Sequence, residues 1–135
     1  MRNRVGWLDT NVVLRYLLDD CPEHSPRART LVEKAEKGEI TLYVPTYIIC
    51  ETVYVLESQA YTRLQIAEAL SRFLSIPGIS VDNLPLMQLC LRQYGNSSVD
   101  FCDLLLYAQC ADNGDTVFTF NKRHFQRLGT NWEEP

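Results

Sequence analysis

The chain has 135 residues, enough for one domain that buries a core of its own without disulfide or metal staples. Its 46% hydrophobic and 22% charged content exclude a disordered chain, and no apolar run approaches the roughly 18 residues of a membrane span, so no membrane partner is expected. A net charge of −4 excludes a broad basic surface for nucleic acid and leaves such a role to a small basic rim or to metal ions held by acids.

Strand-like and helix-like segments alternate along the chain without linker, repeat or change of composition, so one α/β unit over residues 1–135 is expected. Val5 to Leu8 reads as a short buried strand, and Thr10 to Leu18 as a helix with Val13, Leu14, Leu17 and Leu18 at helical spacing. Ser25-Pro26 starts a second helix that Gly38 stops. Ile40 to Val44 is the second strand, closed by Pro45.

From Thr46 to about Gln59 the β-branched content would also suit a strand, but the run is too long for one, and Ile48, Ile49, Thr52, Val53, Val55 and Leu56 suit an enclosed helix. Thr62 to Leu74 is amphipathic, with Leu64, Ile66, Ala67, Leu70, Phe73 and Leu74 expected inside. "PGISVD" is a third strand. Two more helices, Leu84 to Tyr94 and Asp100 to Asp112, flank the turn-rich "GNSS", and "TVFTF" is a last strand followed by "NKRHF". Strands joined by helices predict a mainly parallel central sheet with helices on its faces.

Cys21, Cys50, Cys90, Cys102 and Cys110 form an odd set without a CxxC pair or a histidine at zinc spacing. They read as reduced, mostly buried thiols. The N-terminus "MRNRVGWLDT" lacks the long apolar region of a secretion signal, so a cytoplasmic location is expected.

The acids are the informative residues. In open α/β sheets the ligand crevice lies beyond the C-terminal ends of the strands, where Asp9 and Asn121 fall. Glu51 sits in "YIICETVYVL", apolar on nearly every side, and Asp103 in "VDFCDLLLYA". Asp100 and Asp103 are three apart and share a helix face. Each has an ordinary reading: Asp9 as a cap, Asp100 as a cap or first-turn acid, and Glu51 as an arginine's partner or a carboxyl kept neutral.

One shared site explains all four together, provided a cation is present. Two carboxylates about 4 Å apart repel by roughly 4 kcal/mol at an effective dielectric near 20. Oxygen-only ligands select a hard ion, Mg²⁺ or Mn²⁺, and such an ion polarises a phosphate oxygen and activates water. Phosphodiester hydrolysis is the natural reaction.

The segments "WLDTNVVLRYLL", "VPTYIICETVYVL", "VDFCDLLLYAQC" and "TVFTFNKRHF", in this order, resemble the PIN-domain ribonucleases, in particular the VapC-type toxins of toxin–antitoxin pairs. The resemblance runs from Asp9 to about Phe125. It implies a three-layer α/β fold, a Mg²⁺- or Mn²⁺-dependent site for cutting single-stranded RNA, a homodimer and inhibition by a small antitoxin protein. It makes Asp9, Glu51 and Asp103 the catalytic and metal-binding acids, with Asp100 a further acid one turn earlier. Thr10, Asn11 and Thr119 fall where small polar residues line the family's site.

The chain departs from the family pattern at Asn121, where many members carry a fourth Asp. Asn121 can accept a hydrogen bond but brings no charge, so a second metal position loses a ligand. His124, beside Lys122 and Arg123, is either a phosphate contact or a surface residue. The missing Asp also supports a rival reading, a PIN-like module that has lost catalysis and binds RNA or protein.

Overall fold

The computed structural model describes residues 4–135. Strand β1 (Arg4–Trp7) leads into helix α1 (Thr10–Leu18), whose start is set by Asp9: its backbone is extended and its carboxylate accepts the Thr10 N–H at 2.7 Å. Asp19, in the left-handed region at φ 48°, ends α1 by donating its N–H to the Arg15 carbonyl. Helix α2 (Ser25–Glu36) buries Ala28, Val32 and Ala35, spaced four and three residues apart on one face. His24, not Ser25, occupies its cap position without capping through its side chain, and the Ser25 hydroxyl accepts from the Cys21 N–H instead.

Strand β2 (Ile40–Tyr43) alternates buried Ile40 and Leu42 with half-buried Thr41 and Tyr43. Helix α3 (Thr46–Ser58) is helical despite its β-branched residues, because Ile48, Ile49, Thr52, Val53 and Leu56 make one buried stripe. The fully buried Thr52 hydroxyl donates to the Ile48 carbonyl at 2.7 Å, so it leaves no polar group unpaired. Helix α4 (Arg63–Leu74) opens on a reciprocal cap between Thr62 and Gln65. Leu64, expected inside, is exposed: it lies two residues from Ile66, on the opposite side of the helix from the buried stripe.

Strand β3 (Ile79–Ser80) follows Gly78, where φ is +89° and a Cβ would lie 2.3 Å from the Ala35 carbonyl oxygen. Only glycine lets α2 approach the strand this closely. Helices α5 (Leu84–Gly95) and α6 (Phe101–Asp112) follow as expected, then β4 (Val117–Phe118), a five-residue α7 (Lys122–Gln126) and β5 (Trp132–Glu133). The last two were not anticipated, since neither is long enough to show a hydrophobic period.

β1, β2 and β3 form a parallel sheet in that order, with Arg4 opposite Ile40 and Trp7 opposite Tyr43. β4 and β5 form a second parallel ladder, so the strands divide into two ladders instead of one sheet. With α2 against β2 and β3, α4 against β3, and α3, α4, α5 and α6 each packed on the next, the chain has a three-layer α/β fold.

The split has a visible consequence at β1. Leu8 is buried, yet Val5 and Trp7, expected in the core, are 53% and 68% exposed. They point to the face opposite Gly6 and Leu8, and β1 has a strand neighbour on one side only. Trp7 is covered in part by Tyr43, their rings 4.7 Å apart and edge to face.

Candidate active site

Asp103 lies in the first turn of α6, where the helix dipole favours a carboxylate. Its Oδ2 is 3.0 Å from His124 Nδ1, with both side chains 30% exposed. His124 is held in turn by Asn121, which caps α7: Asn121 Oδ1 accepts the His124 N–H at 3.3 Å, and its Nδ2 lies 3.0 Å from the same ring nitrogen. Asn121 donates its own N–H to Thr119 Oγ1 at 2.9 Å. Four of the residues singled out in the sequence, Asp103, Thr119, Asn121 and His124, are thus one hydrogen-bonded chain.

That arrangement fixes the ring. An ionised carboxylate only accepts, so His124 Nδ1 donates to Asp103 and Nε2 is left without a partner among the described residues. The Asn121 amide then faces a nitrogen that already carries a proton, and its role is to cap α7 through Oδ1.

Asp9 is exposed at the end of β1 and serves as the cap of α1. Asp100 caps α6, its Oδ1 accepting the Cys102 N–H at 2.8 Å. Both ordinary readings of these acids are therefore realised. Glu51 departs from expectation: it is exposed, because the apolar residues around it in sequence, Ile48, Ile49, Thr52 and Val53, face the other side of α3. Among the described residues neither Asp9 nor Glu51 has an ion-pair partner.

Thr10 is 4% exposed, and its hydroxyl has no hydrogen-bond partner among the described residues. An orphaned buried hydroxyl beside Asp9 is costly on its own, and it suits a site that acquires a polar ligand. Asn11 is exposed one residue further along α1.

Among the described residues no three His, Cys, Asp or Glu side chains lie close enough to enclose a metal ion by themselves. The strands that lead to Asp9 and to Asn121 belong to separate ladders. The helices carrying the other two acids do abut: the Cys50 thiol, one residue before Glu51, is pushed up to about 12 by burial and by the Cys102 thiol next to it, one residue before Asp103. The donor chemistry fits a hard cation and not zinc, and Mg²⁺ usually keeps several waters, binding through one or two carboxylates and its substrate's phosphates.

A second network, without a local signal in the sequence, positions α6. Arg63 at the start of α4 donates through Nε to the Tyr94 carbonyl at 2.9 Å and through its guanidinium to the Val99 carbonyl. The guanidinium also lies 3.9 Å over the Tyr94 ring. The Tyr94 hydroxyl donates to Glu57 at 2.7 Å, and burial together with that carboxylate raises its pKa. Val99 directly precedes Asp100, so Arg63 ties down the segment from which α6 and Asp103 emerge.

Compared with known protein families, residues 7–131 match the PIN domain. The chain belongs to the PIN domain family. A search of curated proteins finds no match. PIN domains are generally nucleases, often metal-dependent. The matched stretch takes in Asp9, Glu51, Asp103 and Asn121, which places the whole candidate site within the PIN domain.

Proposed function

We propose that this PIN domain, a single nuclease unit over residues 1–135, is a Mg²⁺- or Mn²⁺-dependent endoribonuclease that hydrolyses single-stranded RNA. In this reading it is the VapC-type toxin of a type II toxin–antitoxin pair, a cytoplasmic homodimer held inactive by a small antitoxin. The observation that carries the nuclease reading is the family match over residues 7–131 with Asp9, Glu51 and Asp103 all present, two of them without a cation partner among the described residues. The toxin assignment is supported by the four ordered segments of the sequence. No helix among the described residues is long and apolar enough to cross a membrane.

Asp9, Glu51 and Asp103 are the residues that would hold the metal, with Asp100 close by in sequence. When bound, the ion supplies charge neutralisation at the phosphate and a more acidic water. The chain's own groups then have separate tasks. His124 fixes the orientation of Asp103 through Oδ2 and leaves Oδ1 available. Asn121 and Thr119 hold the α7 turn that carries His124. The Thr10 hydroxyl and the Asn11 amide offer uncharged hydrogen bonds to the strand beside Asp9.

Incubating the purified chain with total RNA, with and without Mn²⁺, tests this reading directly, and an Asp103→Ala variant assigns the activity to the site. The rival reading, an RNA- or protein-binding PIN module without catalysis, is favoured by Asn121 and by the lack of a three-acid cluster among the described residues. It predicts no metal-dependent cleavage at all.

A further inference from the structure

A cavity of about 420 Å³ opens between α1 and α2. Val12, Ala28 and Leu31 give it an apolar floor, and Asn11, His24 and Arg27 a polar rim. Its size falls in the range of small-molecule sites, roughly 300–1,000 Å³. Another cavity of the same size lies toward the opposite end of α1, by Tyr16 and Asp19, but its Arg29 is already paired with Asp19.

Two features of the first cavity point to its ligand. Arg27 has no ion pair or hydrogen bond among the described residues, whereas Arg15, on the same rim, is bonded to Asp20 at 2.8 Å. In a chain of net charge −4, an unengaged guanidinium beside an apolar floor is a place for an anion attached to an apolar ring. The cavity also shares helix α1 with the candidate site. Asn11 lines it and is two residues from Asp9, at the start of the same helix.

We infer that this cavity is a nucleotide subsite of the PIN domain, taking one base of single-stranded RNA on the Val12–Ala28–Leu31 floor with its phosphate on Arg27. The inference rests on the ribonuclease reading and adds where the strand lies. With the scissile phosphate at Asp9, the neighbouring nucleotide meets Asn11, whose amide can both donate to and accept from a base edge. Apolar contact to a base face is tolerant of sequence, and the phosphate contact carries the salt dependence.

The test is binding of a fluorescently labelled single-stranded oligoribonucleotide in chelator, where no metal-dependent cleavage intervenes. Arg27→Glu is expected to weaken binding tenfold or more and to reduce the slope of log affinity against log salt by about 0.7, the loss of one single-strand phosphate contact. Arg27→Lys is expected to keep most of the affinity. Arg92→Glu, the same charge change on the exposed side of α5, serves as the control for a general field effect. With Mn²⁺ and a cleavable RNA, Arg27→Glu is expected to raise KM and leave kcat unchanged.

Equal losses for Arg27→Glu and Arg92→Glu, or no loss for Arg27→Glu, overturn the subsite and leave the cavity to a protein partner. Cleavage by the parent chain judges the nuclease reading separately. A parent that cleaves while Arg27→Glu binds as well as the parent overturns the subsite alone. A parent that neither binds nor cleaves RNA overturns both.

Discussion

Asp103 on α6 and His124 on α7 are joined by a 3.0 Å hydrogen bond across 21 residues of sequence. A carboxylate held this way has one orientation, and the imidazole's second nitrogen is without a partner among the described residues. Partners that orient a metal ligand typically matter by about 10–100-fold in affinity or activity. His124→Ala is therefore expected to weaken Mn²⁺ binding by about that factor without unfolding the chain. Titration calorimetry with Mn²⁺ measures it, and an unchanged affinity would mean that His124 only packs against α6.

Asp9 has a structural duty that its replacement must respect. Its carboxylate caps α1 through the Thr10 N–H. Asn caps as well as Asp, while Ala loses the bond at a cost of about 1 kcal/mol. Urea unfolding in chelator should therefore find Asp9→Asn near the parent and Asp9→Ala less stable by about that amount, with RNA cleavage lost in both. Strong destabilisation by Asp9→Asn would show that the charge itself is structural.

Arg63 should be one of the most sensitive positions outside the core. Its removal strands two backbone carbonyls, of Tyr94 and Val99, and uncovers the Tyr94 ring. Hydrogen bonds to charged groups are worth roughly 1.5–3 kcal/mol each, and the part-exposed contact with Glu57 adds little. Arg63→Ala is expected to cost about 2–4 kcal/mol in denaturant unfolding. Lysine cannot reproduce the planar fork, so Arg63→Lys should recover only part of it.

Cys90 is fully buried, and burial pushes its thiol up to about 11. The sign of the linkage is definite: between the pKa of an unfolded thiol, about 8.5, and that of the folded one, the unfolded state has lost a proton that the folded state keeps. Stability is complete below that window and falls as pH rises through it. Cys50 and Tyr94, also raised, act in the same direction. Thermal melts from pH 8 to 11 should show the decline, with a shallower slope for Cys90→Ala, and Cys90 should resist thiol reagents at pH 8 until the chain unfolds.

The helices were legible because their information is local. Val13 and Leu14 on α1, or Ile66, Leu70 and Phe73 on α4, repeat at the helical period, and Thr62 with Gln65 marks a start. Glu51 shows the same point in reverse: neighbours in sequence are not neighbours around a helix, and the buried stripe of α3 turns it outward. The parallel strands were legible too, but not their division into two ladders, since pairing between strands leaves no local trace.

Of the candidate site, Asp103, Thr119, Asn121 and His124 were picked out by type and place, and the fold connects them. What the sequence concealed was the partner of each. That Asp103 answers to His124, and Tyr94 to Arg63 and Glu57, depends on contacts between elements far apart in the chain. Only the packing of α6 against α7, and of α4 against α3 and α5, brings these about.

Whether Asp103 serves a metal-dependent cut in RNA is measured by the cleavage of single-stranded RNA by the purified chain, free of any bound partner, with Mn²⁺ and after chelation. Cleavage is expected with the ion, none in chelator, and none for Asp103→Ala. Asn121→Ala, which removes a neutral hydrogen bond, should only weaken the cleavage, its loss smaller than that of Asp103→Ala by well over the roughly 1.4 kcal/mol that equals tenfold in rate. An active Asp103→Ala variant, or a folded parent that cuts no RNA with Mg²⁺ or Mn²⁺, would contradict this role of Asp103.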